Sequence, residues 1–323
     1  MTRVGQRTVG PPTLLLDGFG ILESPVAGDD DEIYFSDVQA GGVFRLHGGN
    51  PEIVIPHRRG IGGIARCRDG SLIVTGRNVA RKTFHGTGTV LCENDPAGGV
   101  SSFNDVAVDR VGRVYVGALN LRPPTPDGVA GPASLVLVEN DATVRVVATG
   151  LRFPNGLAFT GDAGDTWDAG GTGDTRETGR LLVVDSEFGS VLSYRVGVHG
   201  ELSDRRIFAQ WDDAVPDGLA VGRDGTVWVA LAADGGGFVD VLDPGGRSCH
   251  RIAFTEPLIT SVAFGSRGSP RLYVTTGSNR ELPGNGRLYV CEVDTPGVRI
   301  SRAEVRPRGD GESETRSMVF DGS

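Results

Sequence analysis

The sequence predicts an all-β fold, a six-bladed β-propeller that forms a single domain over residues 1–323. Three observations predict it. The chain has 50 glycines spread along 323 residues, so it has many turns and little room for long helices. Short β-branched strands alternate with Asp/Gly turns, which is typical of β-hairpins. A common unit recurs six times at a spacing near 40 residues, and this period is typical of propeller blades.

The repeated unit is an apolar strand of about four residues, an Asp/Gly turn and a second short strand. Its six copies lie at residues 21–38, 62–76, 103–118, 154–186, 216–231 and 259–277. Equivalent positions in these copies are Glu23, Gly63, Asn104, Asn155, Asp217 and Ser261, at intervals of 40, 41, 51, 62 and 44 residues. Further strand pairs between the copies supply the outer strands of each blade, such as VFRLHG with EIVIP.

Two features of the sequence complete the predicted ring. Either LLLDGF near the N-terminus or LYVCEV near the C-terminus supplies the strand that closes it. The long interval before the fifth copy contains an insertion at 161–179, rich in Gly, Asp and Thr. Its aspartates suggest a calcium loop, but the 12-residue pattern and closing Glu of an EF-hand are missing. We therefore expect a mobile surface loop there.

Charge and composition limit the kinds of partner that the chain can bind. The net charge is −9, the basic residues are scattered, and Lys82 is the only lysine. A phosphate-binding surface needs clustered basic residues, so we expect no nucleic-acid partner. The segment 1–12 has no apolar stretch typical of a signal peptide, and no apolar run reaches the ~20 residues of a membrane span. We expect a cytoplasmic protein with four reduced, buried cysteines, Cys67, Cys92, Cys249 and Cys291.

Candidate site residues stand where the repeats enter their first strands. Glu23, Asn104 with Asp105, Asn155 and Asp217 each precede an apolar run. Turn formation alone explains any one of them. At equivalent positions around one axis, however, they meet at the mouth of a channel, where buried carboxylates and amides need a cation between them. Oxygen ligands favour calcium, with magnesium or manganese as alternatives, and zinc stays open.

Five short strings carry a resemblance to a known family: ESP at 23–25, FND at 103–105, PNGLAF at 154–159, PDGLAV at 216–221 and TSVAFG at 260–265. Over roughly residues 15–295 the chain resembles the family of senescence marker protein (regucalcin), gluconolactonase and luciferin-regenerating enzyme. The resemblance implies one divalent metal in the channel, with Glu23, Asn155 and Asp217 as ligands. It also implies that Asp217 is the base for an activated water, and that Asn104 touches this water or the substrate.

The predicted substrate pocket differs from that of the sugar lactonases in this family. They carry an Arg two residues before the FND asparagine, where this chain has Ser102, and a Glu about eighteen residues after it, where this chain has Arg122. A gluconolactone-type substrate is therefore in doubt. A less polar lactone, or an anionic lactone paired with Arg122, fits these changes, and so does a solvent-exposed Arg122. His85 is a further candidate substrate contact.

The leading hypothesis is a metal-dependent hydrolase that opens a lactone or similar ester, with the cation activating water and polarising the carbonyl. Asn104 would orient that carbonyl or stabilise the oxyanion. A GxSxG elbow and an HExxH motif are both missing from the sequence, so neither a serine hydrolase of that type nor a zincin is indicated. Two alternatives stay open: a non-hydrolytic isomerase or cyclase that uses the same metal, and a calcium-binding propeller without catalysis.

Overall fold

The computed structural model describes residues 7–84, 88–121, 131–161, 179–266, 268–278 and 284–306. These residues form 24 strands in six antiparallel four-stranded sheets, and they contain no helix. The predicted six-bladed β-propeller is confirmed. In this part of the chain there is accordingly no helix long and apolar enough to cross a membrane.

The first three blades follow one another along the chain, each with its innermost strand first. Blade one has β2 (Leu22–Ala27), β3 (Ile33–Asp37), β4 (Val43–His47) and β5 (Asn50–Ile55). Blade two has β6 (Ile64–Arg66), β7 (Leu72–Val74), β8 (Val79–Lys82) and β9 (Gly88–Cys92). Blade three has β10 (Ser102–Val108), β11 (Val114–Leu119), β12 (Ala133–Val138) and β13 (Val144–Leu151).

The last three blades repeat this order, except that the ring closes within blade six. Blade four has β14 (Pro154–Phe159), β15 (Arg180–Asp185), β16 (Ser190–Val196) and β17 (Leu202–Gln210). Blade five has β18 (Val215–Val221), β19 (Val227–Ala232), β20 (Phe238–Leu242) and β21 (Ser248–Ala253). Blade six has β22 (Ile259–Phe264), β23 (Arg271–Thr276), β24 (Gly286–Glu292) and the N-terminal β1 (Thr13–Phe19).

Closure therefore joins the two ends of the chain in one sheet. The segment LLLDGF lies in β1, which pairs antiparallel with β24, the strand that contains LYVCE. Of the two candidates for the closing strand, the N-terminal segment is the outermost one. Each innermost strand packs against the innermost strands of the neighbouring blades, so β2, β6, β10, β14, β18 and β22 form a continuous ring.

The apolar core is divided among the six gaps between neighbouring blades. Each gap contains one cluster of buried side chains contributed by the two sheets that face it. Between blades five and six, for example, the fully buried Trp228 meets Phe264 edge to face, with ring centroids 5.6 Å apart. The alternating strand pattern produces these clusters because each sheet is covered on both faces by its neighbours.

A C-terminal segment crosses the end of the propeller opposite the strand entries. After β24 it pairs with blade five, where Val298 donates to the carbonyl oxygen of Val221 at 3.0 Å. It then reaches blade two, where Ala303 forms a parallel bridge with Cys67. Ala303 and Val305 are buried in the core between blades two and three. We call residues 294–306 the C-terminal strap, and it ties blade five to blades two and three.

The prediction that all four cysteines are buried is wrong for Cys249. Cys67, Cys92 and Cys291 are buried free thiols, whereas Cys249 is an exposed one. Cys249 lies on β21, the outermost strand of blade five, whose side chains mostly face solvent. A period-two pattern does not distinguish an outer strand from an inner one.

Replacing Ala303 by Asp should destabilise the fold, because the side chain is 1% exposed and the new carboxylate would be buried without a partner. We expect a loss of about 3 kcal/mol in the free energy of unfolding, seen as a melting temperature lower by at least ~5 °C. Ile300→Asp is the control, since Ile300 on the same strap is 58% exposed. Equal melting temperatures for both variants would show that the strap does not stabilise the ring.

Candidate functional site

The polar residues predicted from the repeats stand at a β-bulge that recurs in the inner strands. The register between the first and second strands shifts between Glu23 and Val26 in blade one, and between Phe103 and Val106 in blade three. The same shift falls between Pro154 and Leu157 and between Pro216 and Leu219. A bulge changes the direction of side chains that the regular pleat would point alternately to the two faces of the sheet. The repeated bulge therefore presents one polar position of each of these blades to the channel.

The amide side chains form a chain of hydrogen bonds from blade three to blade five. The Nδ2 of Asn104 donates to Oδ1 of Asn155 at 3.0 Å and to the carbonyl oxygen of Pro154 at 3.3 Å. The Nδ2 of Asn155 donates to Oγ of Ser186 at 3.2 Å, and this hydroxyl donates to the carbonyl oxygen of Pro216 at 2.7 Å. The network fixes the orientation of both amides next to Asp217.

Three carboxyl groups share the space that these amides border. Glu23, Asp105 and Asp217 keep some exposure along the channel, although protein atoms surround each carboxyl group. Burial raises the pKa of Glu23 well above its usual range, and repulsion from Asp217 and Asp105 adds to this. Burial and the charge of Asp105 likewise raise the pKa of Asp217, while Asn155 opposes the shift. Burial raises the pKa of Asp105 to about 7, against hydrogen bonds from the backbone of Val106 and Leu157.

One oxygen in this group stands out by its lack of partners. Oδ1 of Asp217 is buried and accepts no hydrogen bond from any described residue. A buried carboxylate oxygen is costly unless it is paired, protonated or bound to a cation. Together with the mutual repulsion of the three carboxyls, this oxygen indicates a position suited to a positive charge.

The backbone around the site is shaped for close approach between inner strands. A Cβ atom at Gly63 would lie 2.7 Å from the backbone oxygen of Asn104, and one at Gly218 would lie 2.6 Å from Cα of Ser261. Ser24, directly after Glu23, has φ +50°, a conformation that costs a non-glycine residue energy. Its Oγ accepts a hydrogen bond from the backbone of Ile64 at 2.7 Å, which holds this strained residue in place.

Two further acidic residues near the mouth have structural roles. Asp37 accepts hydrogen bonds from the backbone nitrogens of Gly20, Gln39 and Ala40 at 2.8–2.9 Å. Asp185 accepts from the backbone nitrogens of residues 152 and 153 at 3.0 Å. They brace the loops that lead into β2 and β14, the strands of Glu23 and Asn155.

The structure thus brings Glu23, Asn104, Asn155 and Asp217 together, while their chemical roles stay predictions. Ser102 is half-buried at the start of β10, two residues before Asn104. The candidate substrate contacts His85 and Arg122 lie outside the described residues, as do residues 162–178 of the predicted insertion. The sequence predicts no role for Asp105, although its position beside Asn104 at the strand entry was a signal for one.

Histidine, cysteine and acidic side chains by themselves do not form a metal-binding cluster in the described part of the chain. In the part of the chain that the structure describes, no group of three or more His, Cys, Asp or Glu residues is arranged to hold a metal ion. The predicted ligand set, Glu23, Asn155 and Asp217, includes an amide. Whether it binds a cation therefore depends on the amide oxygen of Asn155 as well as on the two carboxylates.

Fold and site together define a six-bladed propeller with a ring of oxygen-bearing side chains at one channel mouth. The family described as the SMP-30/Gluconolactonase/LRE-like region matches residues 21–278, and the chain belongs to this family. The match extends from the strand that carries Glu23 to the end of β23 in blade six, so it includes all six innermost strands.

Two of the relatives of this chain bear lactonase names. Pentonolactonase XacC of Haloferax volcanii is 30% identical over 300 residues, which cover 86% of this chain and 92% of that one. The 6-deoxy-6-sulfogluconolactonase of Pseudomonas putida is 27% identical over 281 residues, covering 82% and 88%. A solved structure of regucalcin from Agrobacterium tumefaciens, described as a calcium-binding protein, superposes with a TM-score of 0.74 at 16% identity, covering 91% and 97%. Lactone hydrolysis is thus the named activity of two relatives of this chain.

The raised pKa values predict that the stability of the metal-free protein depends on pH. Carboxyls with a raised pKa hold protons in the folded state that the unfolded chain has already lost, so stability falls as pH rises from about 4 through 7. With chelator present, the melting temperature should be lower at pH 7.5 than at pH 5. Added calcium should raise it more at pH 7.5, because fewer protons compete with the cation for the carboxyl oxygens there.

The Asp105→Asn variant is the control for this experiment, because it removes one of the ionisations and should show a smaller fall. A calcium-induced gain that is the same at both pH values in the parent protein would contradict a cation held by Glu23, Asn155 and Asp217. Carboxylates with a lowered pKa, such as Asp69 and Asp224, lose their contribution only at lower pH, so the window above pH 5 isolates the channel groups.

Proposed function

We propose that this chain is a lactone hydrolase that depends on a divalent cation held by Glu23, Asn155 and Asp217 at the channel mouth. One observation carries the proposal: the buried Oδ1 of Asp217 lacks a partner among described residues and lies in a group of mutually repelling carboxyls. Two relatives that bear lactonase names support the reaction class. The calcium-binding name of regucalcin supports the cation.

The donor set fits a hard divalent cation. Two carboxylates and an amide oxygen, with the third carboxylate of Asp105 nearby, match the oxygen ligands that calcium, magnesium and manganese prefer. Calcium is our first choice because its flexible coordination tolerates side chains drawn from three separate blades. When bound, such a cation acts as a Lewis acid toward the lactone carbonyl and lowers the pKa of water.

The chain's own residues then have distinct tasks in ring opening. Asp217 removes a proton from the attacking water, whose oxygen forms a bond to the carbonyl carbon. The bond between that carbon and the ring oxygen breaks, and the ring oxygen receives a proton, so the product is a hydroxy acid. One of its oxygens accepts no hydrogen bond from described residues, and this supports the role.

Asn104 acts chiefly on Asn155. Both of its N–H groups are engaged, with Pro154 and with Asn155, and the second bond holds the Asn155 amide oxygen in place. The predicted role of Asn104 as an oxyanion donor would require one of these bonds to open. Its Oδ1 instead faces Gly62, where any Cβ atom would collide with it. Asn104 is therefore proposed as a residue that positions the Asn155 amide. Its own side-chain oxygen, Oδ1, can accept a hydrogen bond from water or substrate.

Asp217→Asn should abolish turnover while leaving the fold intact, because the two side chains have nearly the same shape. We expect kcat/KM for lactone hydrolysis to fall at least ~100-fold, as for loss of a general base. Calcium affinity, measured by isothermal titration, should fall at least ~10-fold because a ligand charge is lost. The matched control is Asp213→Asn, which removes an exposed carboxylate from the loop that leads into the same strand.

The same assay, run with and without chelator on a panel of lactones, distinguishes the alternative functions. Chelator-sensitive hydrolysis supports the proposal. Metal-dependent conversion without water uptake would point to an isomerase or cyclase, and calcium binding without turnover to a non-catalytic propeller. Full hydrolysis in the Asp217→Asn variant would remove Asp217 from the mechanism.

A further inference from the structure

The hydroxyl group of Ser186 links the predicted ligands of blades four and five. Ser186 is half-buried in the turn that follows β15. Its Oγ accepts a hydrogen bond from Nδ2 of Asn155 at 3.2 Å and donates its hydrogen to the carbonyl oxygen of Pro216 at 2.7 Å. Pro216 directly precedes Asp217 in the sequence. One hydroxyl group therefore contacts the side chain of one predicted ligand and the backbone next to another.

The hydrogen bonds around Asn155 have a fixed direction because they end on backbone carbonyl groups. Nδ2 of Asn104 donates to the carbonyl oxygen of Pro154 at 3.3 Å and to Oδ1 of Asn155 at 3.0 Å. A backbone carbonyl only accepts, so Pro154 requires the nitrogen of Asn104, and Pro216 requires the hydrogen of Ser186. Because a hydroxyl group has a single hydrogen, Ser186 can then only accept a hydrogen bond from Asn155.

This direction decides which end of the Asn155 amide faces each neighbour. Its nitrogen faces Ser186 and its oxygen faces Asn104. An amide turned by 180° would place its nitrogen against the donating nitrogen of Asn104, and its oxygen against a hydroxyl oxygen whose hydrogen is already engaged. In the observed orientation Oδ1 of Asn155 accepts one hydrogen bond and keeps a second lone pair, which is what a cation ligand requires.

The turn itself does not require the hydroxyl group. Val38 in blade one and Ser186 in blade four each follow the second strand of their blade. The backbone N–H of Val38 donates to the carbonyl oxygen of Ile21 at 2.8 Å, and that of Ser186 donates to the carbonyl oxygen of Phe153 at 3.0 Å. Each acceptor lies two residues before the candidate site residue of its blade. Blade one thus makes the same backbone contact with an apolar side chain, so the hydroxyl group in blade four has another role.

We propose that Ser186 is a positioning residue whose hydroxyl group holds the Asn155 amide with its oxygen available to the cation. This inference rests on the proposed function, in which Asn155 is a ligand. Without the hydroxyl group, the carbonyl oxygen of Pro216 would lose its donor and the amide could turn. A turned amide would present its nitrogen, the positive end of its dipole, to the cation, and this would weaken binding.

Ser186→Val and Ser186→Thr test this role, because the two new side chains have nearly the same shape and differ by one hydroxyl group. By isothermal titration, we expect calcium affinity to fall roughly 10- to 100-fold in Ser186→Val, the range for loss of a hydrogen-bond partner of a metal ligand, and to stay near the parent value in Ser186→Thr. Ser203→Val is the control, since Ser203 is exposed on β17 of the same blade. Melting temperatures measured with chelator exclude unfolding as the cause.

A second measurement requires no metal. The side-chain amide hydrogens of Asn155 give NMR signals that can be identified by their absence in the Asn155→Ala protein. With chelator present, the amide hydrogen bound to Ser186 should exchange with water roughly 5- to 10-fold faster in Ser186→Val than in Ser186→Thr, because a hydrogen bond of ordinary strength slows exchange by about that factor.

Kinetics distinguish a positioning residue from a catalytic one. Excess calcium should restore lactone hydrolysis by Ser186→Val, because this variant lacks only affinity for the cation. Asp217→Asn should stay inactive in the same excess, because it lacks the general base.

Three results would overturn the inference: equal calcium affinities of Ser186→Val and Ser186→Thr, equal exchange rates of the Asn155 amide in these two variants, or a loss of hydrolysis in Ser186→Val that excess calcium does not reverse. Failure of the proposed function gives a different result. If the parent protein binds no calcium, the cation site is wrong, while the exchange rates still decide whether Ser186 orients Asn155.

Discussion

The repulsion among three carboxyl groups at the channel mouth is the constraint on which the site depends. Glu23, Asp105 and Asp217 come from blades one, three and five, and burial together with mutual repulsion makes their simultaneous ionisation unfavourable. Six interlocking apolar cores and a closing sheet made from both chain ends keep these blades from separating. Protons relieve this repulsion at low pH, and the proposed divalent cation would relieve it at neutral pH.

The backbone around the site brings the polar side chains together and orients them. Recurrent bulges direct the polar residues toward the axis, and glycines such as Gly218 let neighbouring inner strands approach closely. The hydrogen bond from Asn104 to Asn155 orders the amides, so their oxygens are fixed before any ligand arrives. Such preorganisation is the usual source of selectivity and rate in a polar site, because little reorganisation is left for the reaction itself.

Much of this arrangement could be predicted from the sequence, because the same sequence pattern recurs in each blade of a propeller. The six copies, their spacing and their turn residues predict the blades, and aligning the copies places Glu23, Asn104, Asn155 and Asp217 on one ring. Other features depend on contacts between distant segments and leave no periodic signal. Two examples are the strap that buries Ala303 and the hydrogen bonds by which blade four engages the N–H groups of Asn104. Cys249 shows the same limit, since inner and outer strands share one alternating pattern.

A crystallographic anomalous-difference map of the protein grown with manganese or calcium tests the central claim most directly. We predict a single strong peak on the propeller axis, within roughly 2.1–2.6 Å of side-chain oxygens of Glu23, Asn155 and Asp217, as expected for such ions. A peak at another place, or these three side chains directed apart with ordered water between them, would contradict the account.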